Sequence, residues 1–325
     1  MNLAGRFFRR LRGLTLVREV HYAMGTLLDV MLYHAEREVA LGLLREACRE
    51  AQRLNALLSR HLPTSELSGL NARAGQGLCM VSPELFDLLA VARQWGEETQ
   101  GAFDPTIGGL LTLWREAAKR GDCPTAAHLQ AARCQAGWSK LRLIPPCQVE
   151  LTTTGMSLDL GGIGKGYAVD CMGTILRQGG IRHALINFGE SSLLAVGPMP
   201  DGRPWPILVR ALDSAVGAGS LAIQDQAVGT SASFGQTFTL AGKPLSHILD
   251  PRHGRPLERP VAVTIVAPTA SAAEALSTAF LVLTAAGESV TTLPPRTSAY
   301  QVNRDGGLVS LGRTLHNAEL RCPWL

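Results

Sequence analysis

Apolar residues recur every three or four positions over residues 35–58, the spacing that places them on one face of an α-helix. The pattern predicts an amphipathic helix packed against the core. Ser82-Pro83 precede a second helical pattern that extends to about Glu98, because serine can cap a helix and proline suits its first turn. Two more helices are predicted over residues 165–177 and 271–286, and glycine follows each of them.

Short runs of valine, isoleucine and leucine, separated by glycine or proline, dominate the second half of the chain and are typical of β-strands. The predicted strands are residues 184–188, 193–196, 207–209, 221–228 and 261–266. The Ala241-Gly242-Lys243-Pro244 turn predicts a hairpin. Because the strands do not alternate regularly with helices, the pattern favours an α+β fold with antiparallel sheet over a parallel βαβ series.

The composition is that of a globular protein. The chain has 325 residues, of which 46% are hydrophobic and 18% charged, and its net charge is only +4. This length allows one large domain or two smaller ones. We expect no nucleic-acid partner, because the sequence has neither a long basic block nor a pattern of basic and aromatic recognition residues.

The cysteines and the N-terminus bear on location. The seven cysteines form no Cys-x-x-Cys pair, and their odd number favours a reducing compartment. The arginine-rich start contains an apolar run over residues 14–17 only, shorter than the roughly 7–15 residues of an export signal. No segment reaches the roughly 20 apolar residues of a transmembrane helix. We therefore expect a cytoplasmic protein whose residues 1–18 form a basic tail, a tail also compatible with contact with an anionic membrane surface.

A glycine-rich turn at residues 158–167 offers the first candidate chemistry. Four glycines surround Lys165 where an apolar strand pattern gives way to a helical one. Small residues let backbone N–H groups approach an anion, and the lysine adds a mobile positive charge. The spacing matches neither a Walker loop nor a dinucleotide fingerprint. From this segment alone, a phosphate site and a simple tight turn stay equally open.

Two other segments carry groups suited to catalysis. His247 ends a strand pattern and can act as a general base near neutral pH; alternatively it only stabilises its loop, with Asp250 capping the turn. Glu274 and Thr278 lie four positions apart, so a helix would present both oxygens to one hard cation. Ser271 and Glu274 also have capping-box spacing, which would turn the carboxylate back onto the helix start.

Taken together and in this order, these segments resemble the ApbE family of FAD:protein FMN transferases, from Met24 to about Phe280. The matching pieces are Met24-Gly25-Thr26, Ser65-Glu66-Leu67-Ser68-Gly69-Leu70-Asn71, Ala102-Phe103-Asp104-Pro105-Thr106, Asp159 to Asp170, Asn187-Phe188-Gly189, Ser246-His247-Ile248-Leu249-Asp250-Pro251 and Ala275-Leu276-Ser277-Thr278. The resemblance implies an α+β fold of the ApbE type, a T-fold-like architecture with antiparallel sheets packed against helices. One flavin transferase domain would then cover residues 19–325.

The resemblance also implies an activity, a magnesium-dependent transfer of FMN from FAD to a threonine or serine hydroxyl of an acceptor flavoprotein subunit, with release of AMP. The residues that it places around FAD are Met24, His61, Ala102, Phe103, Asp104, Gly161, Lys165, Tyr167 and Ile248. It assigns Mg²⁺ to the carbonyl of Gly164 and the side chains of Glu274 and Thr278, and it assigns catalysis to His247.

The sequence departs from the family pattern at three places that matter for this activity. Glu274 stands where the family usually has aspartate, and Glu190 stands where it usually has glycine. The segment Thr230-Ser231-Ala232-Ser233 departs from the family's Thr-Ser-Gly-Asp pattern. Two other functions therefore stay open. One is an FAD pyrophosphatase, in which water replaces the acceptor hydroxyl, and the other is a non-catalytic FAD-binding protein of the same fold.

Overall fold

A computed structural model describes residues 10–11, 13–210, 217–234, 237–240, 242–302 and 307–314. A single 3₁₀ turn, Trp138–Lys140, accompanies the α-helices of these ranges. The helices are α1 (Arg37–Leu58), α2 (Glu66–Ala72), α3 (Pro83–Glu98), α4 (Gly108–Arg120), α5 (Ala126–Gln135), α6 (Gly164–Gln178) and α7 (Ala270–Ala286). Within these ranges, no helix combines the length and the apolar character needed to cross a membrane.

The strands form one large sheet and several small ones. In chain order they are β1 (Arg10–Leu11), β2 (Leu14–Ala23), β3 (Thr26–His34), β4 (Cys79–Met80), β5 (Leu141–Ile144), β6 (Gln148–Leu151), β7 (Ala184–Phe188), β8 (Ser192–Val196), β9 (Trp205–Arg210), β10 (Gly217–Ile223), β11 (Ala227–Ala232), β12 (Thr237–Leu240), β13 (Lys243–Ser246), β14 (Leu249–Asp250), β15 (Arg255–Pro256), β16 (Ala262–Ala267), β17 (Thr292–Leu293), β18 (Ser298–Val302), β19 (Leu308–Leu311) and β20 (Arg313–Thr314). The large sheet has the order β1-β2-β3-β7-β8-β11-β16-β18-β19, and every neighbouring pair in it is antiparallel.

The main core lies between this sheet and helices α1, α6 and α7. Two glycines bring α7 to backbone distance of its neighbours. A Cβ on Gly229 of β11 would lie 2.7 Å from the Glu274 nitrogen, and one on Gly166 of α6 would lie 2.7 Å from the Ser271 Cα. Any side chain at these positions would separate the elements. The first half of α7 is therefore fixed against both α6 and the sheet.

Most predicted elements are confirmed. The helices over residues 35–58, 82–98, 165–177 and 271–286 correspond to α1, α3, α6 and α7. Ser82 caps α3 by accepting a hydrogen bond from Leu85 N, and Gly287 ends α7 in the left-handed conformation at φ +80°. The predicted antiparallel sheet and α+β class are also present, as is the hairpin formed by β12 and β13.

Two expectations about the chain need correction, and one hairpin was missed. The predicted strand at 221–228 is two strands, because Asp225 turns the chain at φ +50° and sends β10 to pair with β9 and β11 into the large sheet. The β2–β3 hairpin was not predicted. Leu14 pairs with β1 and residues 15–18 pair with β3, so residues 14–18 belong to the sheet and not to a basic tail. Residues 1–9 and 12, which carry most of the expected membrane-contacting cluster, lie outside the described residues.

Candidate active site

The glycine turn, which we define as residues 161–166, is anchored at its start by Asp159. One carboxylate oxygen of Asp159 accepts a hydrogen bond from Gly161 N at 2.7 Å, and the other forms a 2.8 Å ion pair with Arg60. Arg60 also donates to α4, so the turn is tied to a second helix. The preceding residues 158–160 have no regular secondary structure, so the apolar strand expected there is absent.

Several backbone N–H groups of the turn have acceptors within the protein. Besides Gly161, Gly164 donates to the carbonyl of Leu160 and Gly166 donates to Glu274, each at 2.7 Å. These three N–H groups are therefore not available to bind an anion, although the glycine-rich sequence had suggested such a site. At Gly166, the small residue is required by packing against α7. The positive charge of the turn comes from the side chain of Lys165.

Glu274 turns its carboxylate toward the glycine turn. Its Oε1 lies 2.6 Å from Lys165 Nζ and its Oε2 accepts the Gly166 N–H, while the side chain is only 5% exposed. The capping-box alternative is not formed. Thr269 caps α7 by accepting from Ala272 N, and the hydroxyl of Ser271 donates to Asp170 on α6. A carboxylate from α7 and a lysine from α6 thus meet inside the protein.

Thr278, one helical turn beyond Glu274, lies among other hydroxyl groups. Its Oγ1 donates to the carbonyl of Glu274 at 3.2 Å and lies 3.2 Å from Ser231 Oγ on β11. Ser231 Oγ is also 2.7 Å from Ser277 Oγ. The cluster of carboxylate and hydroxyl oxygens provides the hard donors that suit Mg²⁺.

Gly162 brings the turn, Phe103 and Thr278 together. A Cβ at this position would lie 3.1 Å from Phe103 Cε2 and 3.4 Å from Thr278 Oγ1. Three segments that the sequence analysis assigned to one site are therefore neighbours, although they are separated by more than 50 residues along the chain.

The loop that carries Ala102, Phe103 and Asp104 is buried and held by the carboxylate of Asp104. Its Oδ1 accepts from both the backbone and the hydroxyl of Thr106, and its Oδ2 accepts from Trp138 N at 3.0 Å. Burial raises the pKa of Asp104, against the opposing effect of these hydrogen bonds. Both oxygens of Asp104 accept hydrogen bonds from the protein, so this residue fixes the loop that carries Ala102 and Phe103.

His247 directly follows β13 and is partly buried. The following loop is fixed by Ile248, whose N–H donates to Ser246 Oγ, and by Asp250, whose carboxylate binds the guanidinium of Arg252 at 2.8 Å. Asp250 Oδ1 also accepts from Arg252 N at 2.9 Å, so Asp250 caps the turn, as the alternative interpretation predicted. A Cβ on Gly101 would lie 3.8 Å from Arg252 Cγ, so this loop borders the one that carries Phe103.

Three further predicted site residues, Met24, His61 and Tyr167, lie on other elements. Met24 is part of the β2–β3 turn at φ +44°, and His61 is exposed beside Arg60. Burial, followed by the charges of Arg115 and Arg60, lowers the pKa of His61. The hydroxyl of Tyr167 lies 3.4 Å from Glu84 on α3, so that end of its ring contacts α3.

Glu190, which replaces the glycine usual in the family, takes the left-handed conformation that favours glycine, at φ +59°. Its carboxylate forms a 2.8 Å ion pair with Arg210, and both side chains are exposed. The negative charge is therefore directed to the surface and partly balanced there. It does not enter the cluster around Thr278.

A second group of potential metal ligands lies elsewhere. Glu50, Glu84 and Cys171 approach one another between α1, α3 and α6. Arg53 donates to both carboxylates, and burial raises the pKa of the Cys171 thiol to about 11. The guanidinium offsets part of the negative charge of the two carboxylates, and a thiol is a poor ligand for Mg²⁺. The oxygen donors of Glu274 and Thr278 fit that ion better.

The sequence analysis assigned no role to four residues that build the site. Arg60 and Asp159 pair across 99 positions, and no local pattern shows such a contact. The carboxylate of Asp170 accepts from the N–H groups of Ala270 and Ser271 and joins α6 to the start of α7. Ser231 had a weak signal, since it belongs to a segment that departs from the family pattern.

The chain is similar to known proteins over most of its length. The model of the ApbE family matches residues 24–300. The FAD:protein FMN transferase of Salmonella typhimurium is 30% identical over 269 residues, which cover 80% of this chain and 76% of the relative. The crystal structure of the ApbE protein of Thermotoga maritima superposes with a TM-score of 0.78 at 25% identity, covering 91% of this chain and 97% of that one. The apo flavinyl transferase ApbE of Pseudomonas stutzeri gives a TM-score of 0.75 at 26% identity, covering 93% and 97%.

Proposed function

Because the chain belongs to the ApbE family, we propose that it is an FAD:protein FMN transferase whose active site is the cluster around Lys165, Glu274 and Thr278. The substrate would be FAD, and the acceptor would be a threonine or serine hydroxyl of a flavoprotein subunit. AMP would leave. This proposal rests on one observation. The carboxylate of Glu274 and the hydroxyl of Thr278, both on α7, lie beside the glycine turn.

The protein would bind FAD through its own side chains. The side chain of Lys165 is 22% exposed and places a positive charge at the turn, which suits the diphosphate. Phe103 and Met24 supply apolar surface, and the exposed ring of His61 is available to stack on a flavin or an adenine. Ala102, Gly161, Tyr167 and Ile248 would complete the surroundings of the cofactor.

Glu274 and Thr278, together with the Gly164 carbonyl, would hold Mg²⁺, because all three are hard oxygen donors. When bound there, the ion would neutralise charge that develops on the diphosphate during transfer. Lys165 would add to this stabilisation and orient the phosphate for attack.

His247 would act on the acceptor. A hydroxyl is a weak nucleophile until a base takes its proton, and an imidazole is suited to that task near neutral pH. The hydroxyl oxygen would form a bond to the phosphorus of the FMN half while the bond between that phosphorus and the bridging oxygen breaks. AMP leaves with the bonding electrons, and the proton passes from the hydroxyl to His247.

The test follows three products in one reaction. Purified protein is incubated with FAD, Mg²⁺ and candidate acceptor proteins, and AMP, free FMN and acceptor mass are measured. AMP together with a gain of one FMN on the acceptor supports the transferase. AMP with free FMN and an unchanged acceptor would show a pyrophosphatase instead, and intact bound FAD would show a binding protein. EDTA provides the control for metal dependence.

A further inference from the structure

Lys165 and Glu274 form a close ion pair at the place where the proposed function needs a metal ion. Lys165 Nζ lies 2.6 Å from Oε1 of Glu274, and the Gly166 N–H occupies Oε2 at 2.7 Å. Both oxygens of the carboxylate therefore have partners within the protein. A divalent ion at about 2.0–2.1 Å from the same carboxylate would meet strong repulsion from the ammonium.

The two partners differ in their freedom to move. Glu274 is only 5% exposed and is fixed by α7, whose backbone packs on β11 at Gly229 and on α6 at Gly166. Lys165 is 22% exposed and carries its charge on a flexible four-carbon chain. A bound ligand can therefore draw away the ammonium but not the carboxylate.

We propose that the ammonium of Lys165 pairs with the carboxylate of Glu274 in the free protein and so takes the place of the metal ion. When a diphosphate binds the ammonium, the carboxylate becomes available to the metal. This inference rests on the proposed function, since it takes Glu274 as a metal ligand and FAD as the diphosphate. Lys165 thereby becomes a positioning residue that couples the two ligands. The metal binds weakly before FAD and tightly with it, and by thermodynamic reciprocity the metal strengthens FAD binding by the same factor.

Removing the ammonium should change the affinities for metal and for FAD in opposite directions. In Lys165→Met, the buried carboxylate has lost its competing cation, so FAD-free protein binds Mn²⁺ about tenfold more tightly than the wild type, the effect of one charged hydrogen bond. Metal-free protein in EDTA binds FAD more weakly, because the lysine no longer reaches the phosphates. Mn²⁺ binding is measured by EPR and FAD binding by flavin fluorescence, so neither readout needs turnover.

Two other variants support the comparison. Lys165→Gln keeps a hydrogen-bond donor for Glu274 without the charge. Like Lys165→Met, it should bind Mn²⁺ more tightly and FAD more weakly, and the retained hydrogen bond should preserve the fold. Lys119→Met removes a lysine of an exposed pair with Glu116 on α4, where the side chain is 77% exposed, and should change neither affinity. Circular dichroism confirms that each variant is folded.

Opposite changes in the two affinities support the proposal, since a merely structural role of Lys165 would weaken both. Unchanged or weaker Mn²⁺ binding in both Lys165 variants would overturn it. The proposed function is judged separately by flavinylation of the acceptor with wild-type protein. Turnover with no gain in Mn²⁺ affinity would therefore reject only the inference, whereas a gain without turnover would reject only the transferase.

Discussion

The carboxylate of Asp170 caps the start of α7 by accepting two hydrogen bonds from Ser271. The backbone N–H donates at 2.9 Å and the hydroxyl at 2.7 Å. Its other oxygen accepts from Ala270 N at 2.7 Å. Unpaired N–H groups and the helix dipole make this end of α7 favourable for a negative charge. Because Asp170 belongs to α6, the cap sets the distance between the helices that carry Lys165 and Glu274.

Asp170→Asn should destabilise the protein by about 2 kcal/mol, because an amide offers one acceptor to two backbone donors and leaves one of them unsatisfied. Chemical denaturation of the two proteins measures the difference. Asp87→Asn on the exposed side of α3 serves as the control and should change the free energy of unfolding by less than about 0.5 kcal/mol. Equal effects of the two substitutions would show that the cap adds nothing to stability.

Gly166→Ala and Gly164→Ala should differ sharply, although the two glycines lie in the same turn. At Gly166 a Cβ would overlap the Ala270 carbonyl and push α6 from α7, at a cost of about 2 kcal/mol, and FAD-dependent activity should fall with it. At Gly164 the nearest atom would be Leu160 Cβ at 3.9 Å, so alanine fits. Thermal unfolding and AMP release measure both variants. A stable, active Gly166→Ala protein would contradict the packing argument.

The sequence predicted the helices whose ends are marked by capping residues. Ser82 marks the start of α3 and Gly287 the end of α7 because each acts within a single turn of the chain. The strand expected at 221–228 failed for the opposite reason. Its apolar run continues across Asp225, where the left-handed backbone conformation reverses the chain, and that conformation leaves no mark in a hydropathy pattern.

The candidate site was predictable as a set of segments but not as an arrangement. The likeness to a family indicated which segments to group, and the structure makes Gly162, Phe103 and Thr278 neighbours. The partners of these residues depend on distances between helices. Whether Glu274 would face a metal ion or cap its own helix was open in the sequence, because one local spacing allows both, and its pairing with Lys165 was not predicted.

Thr278→Val should raise the Mg²⁺ concentration needed for half-maximal AMP release by about tenfold, because valine keeps the shape of threonine and removes one oxygen donor. Thr278→Ser retains the hydroxyl and should behave like the wild type. Thr284→Val, farther along α7, controls for the change in helix propensity. The magnesium dependence of AMP release is the measurement. If Thr278→Val leaves that dependence unchanged, the hydroxyl does not belong to the metal site.

His247→Ala should lower the rate of acceptor flavinylation by about 10²–10⁴-fold, the usual contribution of a general base. The affinity for FAD should remain close to that of the wild type, because the base acts on the acceptor hydroxyl. His128→Ala on the exposed surface of α5 is the matched control and should retain full activity. Rates are followed by acceptor mass and affinities by flavin fluorescence. A parallel loss of FAD binding would indicate that His247 supports the cofactor and not the chemistry.

Asp250→Asn should make the loop after His247 less stable at neutral pH but not in acid. Burial opposes ionisation of Asp250, yet the hydrogen bonds and charge of Arg252 outweigh it and lower its pKa below the ordinary 3.8. A carboxyl whose pKa is lower in the folded state stabilises that state above its unfolded pKa and loses the effect as pH falls through the folded value. The wild type should therefore exceed Asp250→Asn in unfolding free energy by about 2 kcal/mol at pH 7, and the difference should shrink below about pH 4. Urea denaturation from pH 7 to pH 3 measures it, and a difference that stays constant with pH would exclude the ion pair as its source.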